Sequence, residues 1–337
     1  MTYKIAIVGE AWGAEEAKQR QPFVGASGYE LTKMLSEAGI HRADCFLTNV
    51  FNVKPEPTND IENLCTDKSN GIVQYGPIKA GKYPRAEFSS ELQRLDTELK
   101  STRPNIIIAL GNSACWFILG NSGISKIRGT VTESRYGKVL PTYHPAAVLR
   151  DWSLRPVTVL DFAKANRESA FPEIRRPERT IFIEPDLADM EHFYATQIKP
   201  CQTLSFDIET SGDQITCIGF APNSSTALVV PFVDQRKPGA SYWHSAELER
   251  LAWDYVRRVL SIPQPKIAQN GLYDIHFLWR KYGIAVKNAG EDTMLMHHAL
   301  QPESQKGLGF LGSVYSNEQS WKLLGKRGLT ETIKRDA

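Results

Sequence analysis

Glu10 and His144 each stand just past an apolar run. Glu10 lies in GEAWG (Gly9–Gly13) after KIAIV, and His144 lies in TYHPAAVLR (Thr142–Arg150) after KVLP. Parallel α/β sheets bind their ligands beyond the carboxyl ends of the strands. A carboxylate and an imidazole far apart in sequence can therefore converge on one pocket. Asp207 and Glu209, in FDIET (Phe206–Thr210), alternate along an expected strand, and the period of two puts both carboxylates on one face. Two carboxylates so placed can hold divalent cations, and a cation pair can stabilise both the attacking and the leaving oxygen of phosphodiester hydrolysis. Taken alone, a lone histidine is more often structural and a DxE pair more often a solvated strand edge.

The elements that must position these groups follow from hydrophobic periodicity. Lys4–Val8 reads as a buried strand with Gly9–Gly13 as the turn after it. Gln21–Gly28 is a Pro/Gly loop opening a helix that carries Leu31, Met34, Leu35 and Ile40. Cys45–Val53 is a second strand, Phe88–Leu99 an amphipathic helix, Asn105–Gly111 a third strand, and a fourth parallel strand leads to His144. Strands alternating with helices predict a parallel sheet covered on both faces. Pro55 to Arg85 is a long polar loop bearing Lys68, Lys79, Lys82 and Arg85; loops of this length are usually functional or mobile. From Asp161 the chain becomes charged and loses apolar periodicity, which predicts a linker. The boundary is expected near Pro172, giving domains 1–172 and 173–337. The second half reads as an antiparallel meander with flanking helices, an α+β arrangement.

Composition narrows the class. Lys+Arg 40 against Asp+Glu 38 gives a net charge of +2, so any basic surface must come from distribution. The IAIV run is too short for a signal peptide or a membrane span, so no membrane partner and a cytoplasmic location are expected. Five cysteines (Cys45, Cys65, Cys115, Cys201, Cys217) without a CxxC argue against a disulfide framework or zinc knuckle.

The string GEAWG, Glu16, PFVGASG (Pro22–Gly28), LTNV (Leu47–Val50), IIALG (Ile107–Gly111), IRG (Ile127–Gly129) and YHPAAVLR resembles the uracil-DNA glycosylase superfamily, nearest its family 4 type. The resemblance implies a three-layer α/β/α fold and hydrolysis of the N-glycosidic bond of deoxyuridine after the nucleotide leaves the stack. It implies Phe23 as an aromatic face for the base and Asn49 as reader of its edge. His144 would donate to the uracil oxygen where negative charge develops. Glu10 would stabilise the cationic sugar and orient a water, with Glu16 in support and the Ala11 backbone facing the base. Leu149 would act as a wedge and Arg150 as a phosphate contact, with Gly25, Ser27 and Arg128 contacting or shaping the DNA backbone path. Trp12 stands where the family commonly has proline. The cysteine pair that such enzymes carry before GExxG is absent, and Val53 replaces another ligand, so no iron–sulfur cluster and no other glycosylase cofactor is expected. TVTESRYG does not resemble the basic insertion of uracil-trapping relatives, so turnover is expected.

FDIET, AQNGLYD (Ala268–Asp274), EDTMLMHHAL and KGLGFLGSVY together resemble the 3′→5′ exonuclease domain of family A DNA polymerases, an RNase H-like fold of the DEDD superfamily. The resemblance implies Asp207, Glu209 and Asp274 as catalytic ligands of Mg²⁺ or Mn²⁺, with Asp292 as a supporting carboxylate and Asn270 and Tyr273 around the second motif. The third motif, Tyr-x-x-x-Asp, has only Asp336 as a late match, with Thr332 in place of tyrosine. The exonuclease is therefore expected to be incomplete, through a lost ligand or a shortened chain. The combined expectation is a uracil glycosylase acting on single- or double-stranded DNA, joined to a 3′-end-binding domain. It would serve repair or replication beside a DNA polymerase or replication protein, and a fusion of this kind looks phage-encoded. The alternatives are a non-catalytic uracil-DNA or replication-accessory module, and a metal-dependent exonuclease whose first domain only docks DNA.

Overall fold

A computed structural model describes residues 3–234, 236 and 241–318; Thr332 and Asp336 lie outside the described residues. The chain divides into two compact units, one of Met1–Arg176 with Gly309–Ala337, the other Pro177–Leu308. The first division falls four residues beyond the expected Pro172. The second was not anticipated: a segment that reads as exonuclease folds with the glycosylase-like unit.

The first unit runs β1 (Ile5–Ala11), α1 (Ala14–Gln19), α2 (Ala26–Glu37), β2 (Cys45–Phe51), β3 (Cys65–Thr66), β4 (Tyr83–Pro84), α3 (Ser89–Thr102), β5 (Ile106–Leu110), α4 (Gly111–Leu119), α5 (Ile124–Ile127), β6 (Thr132–Ser134), β7 (Gly137–Thr142), α6 (Pro145–Arg150) and α7 (Arg155–Glu168). The sheet order is β2-β1-β5-β7-β6, parallel except for the β6 edge. Side-chain alternation splits β1 between two cores. Ala6 and Val8 pack with Leu92, Leu95 and Leu99 of α3; Ile5 and Ile7 pack with Leu31, Met34 and Leu35 of α2. Each large aliphatic side chain fully buried this way contributes roughly 1.5–3 kcal/mol, which fixes the strand ends that carry the site.

Two local expectations change. Gly9–Gly13 is not a turn throughout, because β1 continues to Ala11 in register with Phe51. The charged stretch from Asp161 is not linker up to Glu168; it is the second half of α7. Its Asp161, Lys164 and Glu168 are buried. Their partners are Arg128 for Asp161, the Gly129 carbonyl for Lys164 and Lys138 for Glu168. Charges that face inward to partners erase the apolar periodicity that marks a helix in sequence. The long loop holds the β3–β4 pair, and its Lys79 and Lys82 are salt-bridged to Glu62 and Asp67.

The second unit runs β8 (Thr180–Phe182), α8 (Leu187–Phe193), β9 (Leu204–Ser211), β10 (Gln214–Ala221), β11 (Thr226–Pro231), α9 (Ala246–Leu260), β12 (Lys266–Ala268), α10 (Leu272–Tyr282), β13 (Glu291–Asp292) and α11 (Thr293–Leu300); α12 (Leu308–Tyr315) returns to the first unit. The order β13-β12-β9-β10-β11-β8 contains the expected antiparallel meander β9-β10-β11, extended by β12 parallel to β9 and β8 parallel to β11. One face, with Phe206, Ile208, Ile218 and Phe220, packs on α9. The alternate residues of β9, Ser205, Asp207 and Glu209, are exposed. No helix among the described residues is long and apolar enough to cross a membrane.

Candidate active sites

The carboxyl ends of β1, β2 and β7 meet at a cavity of about 380 Å³ in the first unit. Of the expected residues, Glu10, Ala11, Glu16, Phe23, Ser27, Asn49, His144 and Arg150 line it, as does Trp12. Gly25, Arg128 and Leu149 do not. A larger hollow of about 650 Å³ in the second unit, around Glu184, Arg236 and Trp243, is lined by none of the candidate residues.

His144 caps the short helix α6: its Nδ1 accepts from the Ala146 N–H at 3.1 Å. An acceptor at Nδ1 puts the proton of the neutral ring on Nε2. Burial, followed by the Arg150 charge, holds its pKa down to about 4 against the opposing pull of Glu16. At neutral pH the ring is therefore an uncharged N–H donor. Glu10 accepts a 2.5 Å hydrogen bond from Ser113 Oγ, in the first turn of α4. Burial raises its pKa, while the Ser113 bond pulls the other way.

Phe23 is buried with a left-handed backbone (φ 57°), and its ring lies 6.1 Å from that of His144. Three supports hold this conformation. Glu16 accepts from the Val24 and Gly25 N–H groups at 3.1 and 2.8 Å. Arg42 donates to the Pro22 and Phe23 carbonyls at 3.1 and 2.8 Å. Gly28 is required, because a Cβ there would stand 1.9 Å from the Phe23 carbonyl oxygen. Glu16 is thus a positioning residue at the cavity wall, and the Gly25 amide is already engaged.

Asn49 is buried and paired in register with Gly9. A Cβ on Gly9 would meet Asn49 Oδ1 at 2.3 Å and Phe23 Cζ at 2.6 Å, so the Asn49 amide and the Phe23 ring close over a bare backbone. Behind Asn49, Arg94 donates to its carbonyl at 2.8 Å and pairs with Glu98. Arg128 departs from its expected place on the DNA path. It is buried, ion-paired to Asp161, and donates to Ser313 Oγ of α12 at 3.0 Å. Asp161 also accepts from Thr142 Oγ1 at 2.6 Å, at the end of the strand that delivers His144. Arg128 therefore stiffens the site from behind. Leu149 is exposed beside Arg150 on α6. Ser113, Arg42 and Arg94 escaped the sequence reading because each acts through tertiary contacts; only the GNSA opening of α4 could have flagged Ser113.

In the second unit Asp274 is buried, and its Oδ1 accepts from the Ile208 N–H at 3.0 Å, between Asp207 and Glu209 on β9. Partial desolvation of its carboxyl beside Asp274, then the charges of Asp274 and Glu209, raises Asp207 to about 6. None of the three is ion-paired with a basic side chain among the described residues. These carboxylates suit a divalent cation by charge, although no three His, Cys, Asp or Glu among the described residues stand close enough to form a ready metal cluster. Asp292 has a different task. Burial works against its charge, but donors at Asn270, Gly271, Met294 and Leu295 outweigh it and lower its pKa. Tyr273 OH lies 3.0 Å from Thr210 Oγ1, and Asn270 takes a left-handed backbone in the turn that Asp292 fixes.

Residues 2–170 match the family model described as the uracil DNA glycosylase superfamily. The chain belongs to this superfamily. Residues 184–324 match the model for a 3′-5′ exonuclease, so a uracil glycosylase domain is fused to an exonuclease-like domain. The type-4 uracil-DNA glycosylase of Archaeoglobus fulgidus is 38% identical over 170 residues, covering 48% of this chain and 74% of the relative. That of Sulfurisphaera tokodaii is 32% identical over 180 residues, covering 50% and 72%. The DNA polymerase of Bacillus phage SP01 is 23% identical over 324 residues, 87% of this chain but 32% of the polymerase. The exonuclease match runs across α12, which the structure assigns to the glycosylase unit.

Proposed function

We propose that the first unit releases uracil from DNA by hydrolysis, with Glu10 and His144 as its catalytic residues. The observation that carries this reading is the His144 ring, held by its Nδ1 accepting from the Ala146 N–H in a cavity that also holds Glu10, Phe23 and Asn49. Breaking the N-glycosidic bond leaves negative charge on the base and positive charge on the sugar. A neutral, pre-oriented donor stabilises the departing base without first having to lose a charge. Glu10, hydrogen-bonded on one oxygen by Ser113, holds a carboxylate toward the sugar cation. Its raised pKa makes it a better acceptor for the proton of the attacking water. The Asn49 amide offers both a donor and an acceptor to the base edge, and a base with the reversed pattern leaves those groups unpaired. Leu149 fills the space the nucleotide leaves, Arg150 contacts phosphate, and Ser27 borders the strand's path.

The second unit binds a DNA 3′ end, with Asp207, Glu209 and Asp274 as the residues that would hold Mg²⁺ or Mn²⁺. The cation would stabilise charge on the phosphodiester oxygens. A place beside a replicating polymerase is supported by the match to the phage DNA polymerase.

Uracil release in EDTA tests the glycosylase reading, on single-stranded and duplex oligonucleotides with alkaline cleavage as readout. Chelation silences a metal-dependent nuclease, so alkali-labile sites at uracil are the expected result. No release from either substrate contradicts the reading and leaves a binding module.

A further inference from the structure

Two residues beyond Arg150, Trp152 is 59% exposed, an unusual setting for so large an aromatic surface. It is nevertheless held in place. The Arg155 guanidinium lies over one face of the indole, 5.2 Å from the ring centroid. That guanidinium is itself anchored to α2, by Nε on Glu30 at 2.7 Å and by a fork on Glu37. Asp151 fixes the intervening turn by accepting from the Ser153 N–H and hydroxyl at 3.1 and 2.6 Å. More than half of the Trp152 surface remains open to solvent despite this contact. Arg150 lines the base cavity, and two peptide steps put the Trp152 Cα within about 8 Å of its Cα.

We propose that Trp152 is a stacking platform for the nucleobase next to the extruded uridine, and that its substrate is single-stranded DNA. This deepens the glycosylase reading and rests on it. A base inside a duplex has both faces covered by its neighbours, whereas an unpaired strand bending into the cavity has a free face to lay on the indole. Arg155 serves the platform twice: its stack keeps the ring from rotating away, and its charge favours the nearby phosphodiester chain. Sequence tolerance follows, because every base has a π face. Leu149, exposed beside the cavity-lining Arg150, lies three residues before Trp152, so one strand can reach all three.

The test uses the full chain in EDTA under single-turnover conditions, with enzyme concentration varied to separate half-saturation from maximal release rate. Wild type, Trp152→Ala and Trp152→Phe are compared on a single-stranded and a duplex uracil oligonucleotide. Stacking on one base predicts that Trp152→Ala raises half-saturation on the single strand roughly tenfold. The maximal rate should stay within about twofold and duplex half-saturation within about threefold, since the platform touches neither the reacting atoms nor paired bases. Trp152→Phe, which keeps a π face, recovers most of the affinity. Unchanged single-strand half-saturation in Trp152→Ala, with wild type active, overturns the platform and leaves the glycosylase reading intact. An equal rise on both substrates overturns the single-strand assignment. No release by wild type overturns the glycosylase reading and this inference with it.

Discussion

The two sites solve the problem of placing charge in opposite ways. In the glycosylase cavity the groups that hold His144, Glu10 and the Phe23 loop are committed before substrate arrives. His144 is tied by Nδ1 to the Ala146 amide, Glu10 by Ser113, the Phe23 loop by Glu16 and Arg42, and the His144 strand by Thr142, Asp161 and Arg128. In the second unit, like charges face one another, and burial together with the neighbouring carboxylates raises Asp207. The first is a preorganised set of dipoles; the second gathers negative charge that a cation would complete. Preorganisation stabilises developing charge without reorganisation during the reaction.

The largest expected effect tests the support behind the first site. Arg128→Ala strands the buried Asp161, and breaking a buried pair from one side costs about 3–5 kcal/mol. Thermal unfolding should report a loss of this size, while Ser313→Ala, which removes the hydrogen bonds to Arg128 and to the Phe310 carbonyl, should cost about 1–2 kcal/mol. Similar small losses from both would show that the network does not carry the His144 strand. Next comes chemistry: His144→Ala should slow single-turnover uracil release about 10²–10³-fold, the usual loss for one oxyanion donor, with DNA affinity nearly unchanged. Equal release rates would remove His144 from the mechanism.

The smallest effect belongs to the second site. Mn²⁺ at about ten times its dissociation constant should stabilise the unit by about 1.4 kcal/mol, or about 3–6 °C; Asp207→Asn and Asp274→Asn should lose the shift. The sign with pH follows from Asp207. Its folded pKa lies above the ordinary carboxylate value, so the site favours the protonated form. Stability from this group is present at low pH and is lost as pH rises from about 4 to about 6. The Mn²⁺ shift should therefore be larger at pH 7.5 than at pH 5. A shift that survives both substitutions places the cation elsewhere.

The fold was largely legible because its strands are uninterrupted apolar runs and its meander alternates cleanly. Ile5–Val8 and Ile106–Leu110 could be read without ambiguity. What misled was charge turned inward: Asp161, Lys164 and Glu168 read as linker because sequence cannot show that Arg128, the Gly129 carbonyl and Lys138 wait for them. Arg128 failed as a DNA contact for the same reason. The groups that touch the cavity were mostly found through short motifs, whereas Ser113, Arg42 and Arg94 support it over long sequence distances and leave no local signature. That α12 completes the first unit rests on Ser313 and Ser316, which accept from Lys164 through their carbonyls.

The central claim, that the first site holds its electrophile in the neutral form catalysis needs, is tested most directly by nitrogen-15 NMR titration of His144. The His144→Gln variant assigns the signal. A neutral Nε2–H tautomer with a midpoint near 4 is the predicted result. A midpoint at or above 6.5, or a proton on Nδ1, would contradict it.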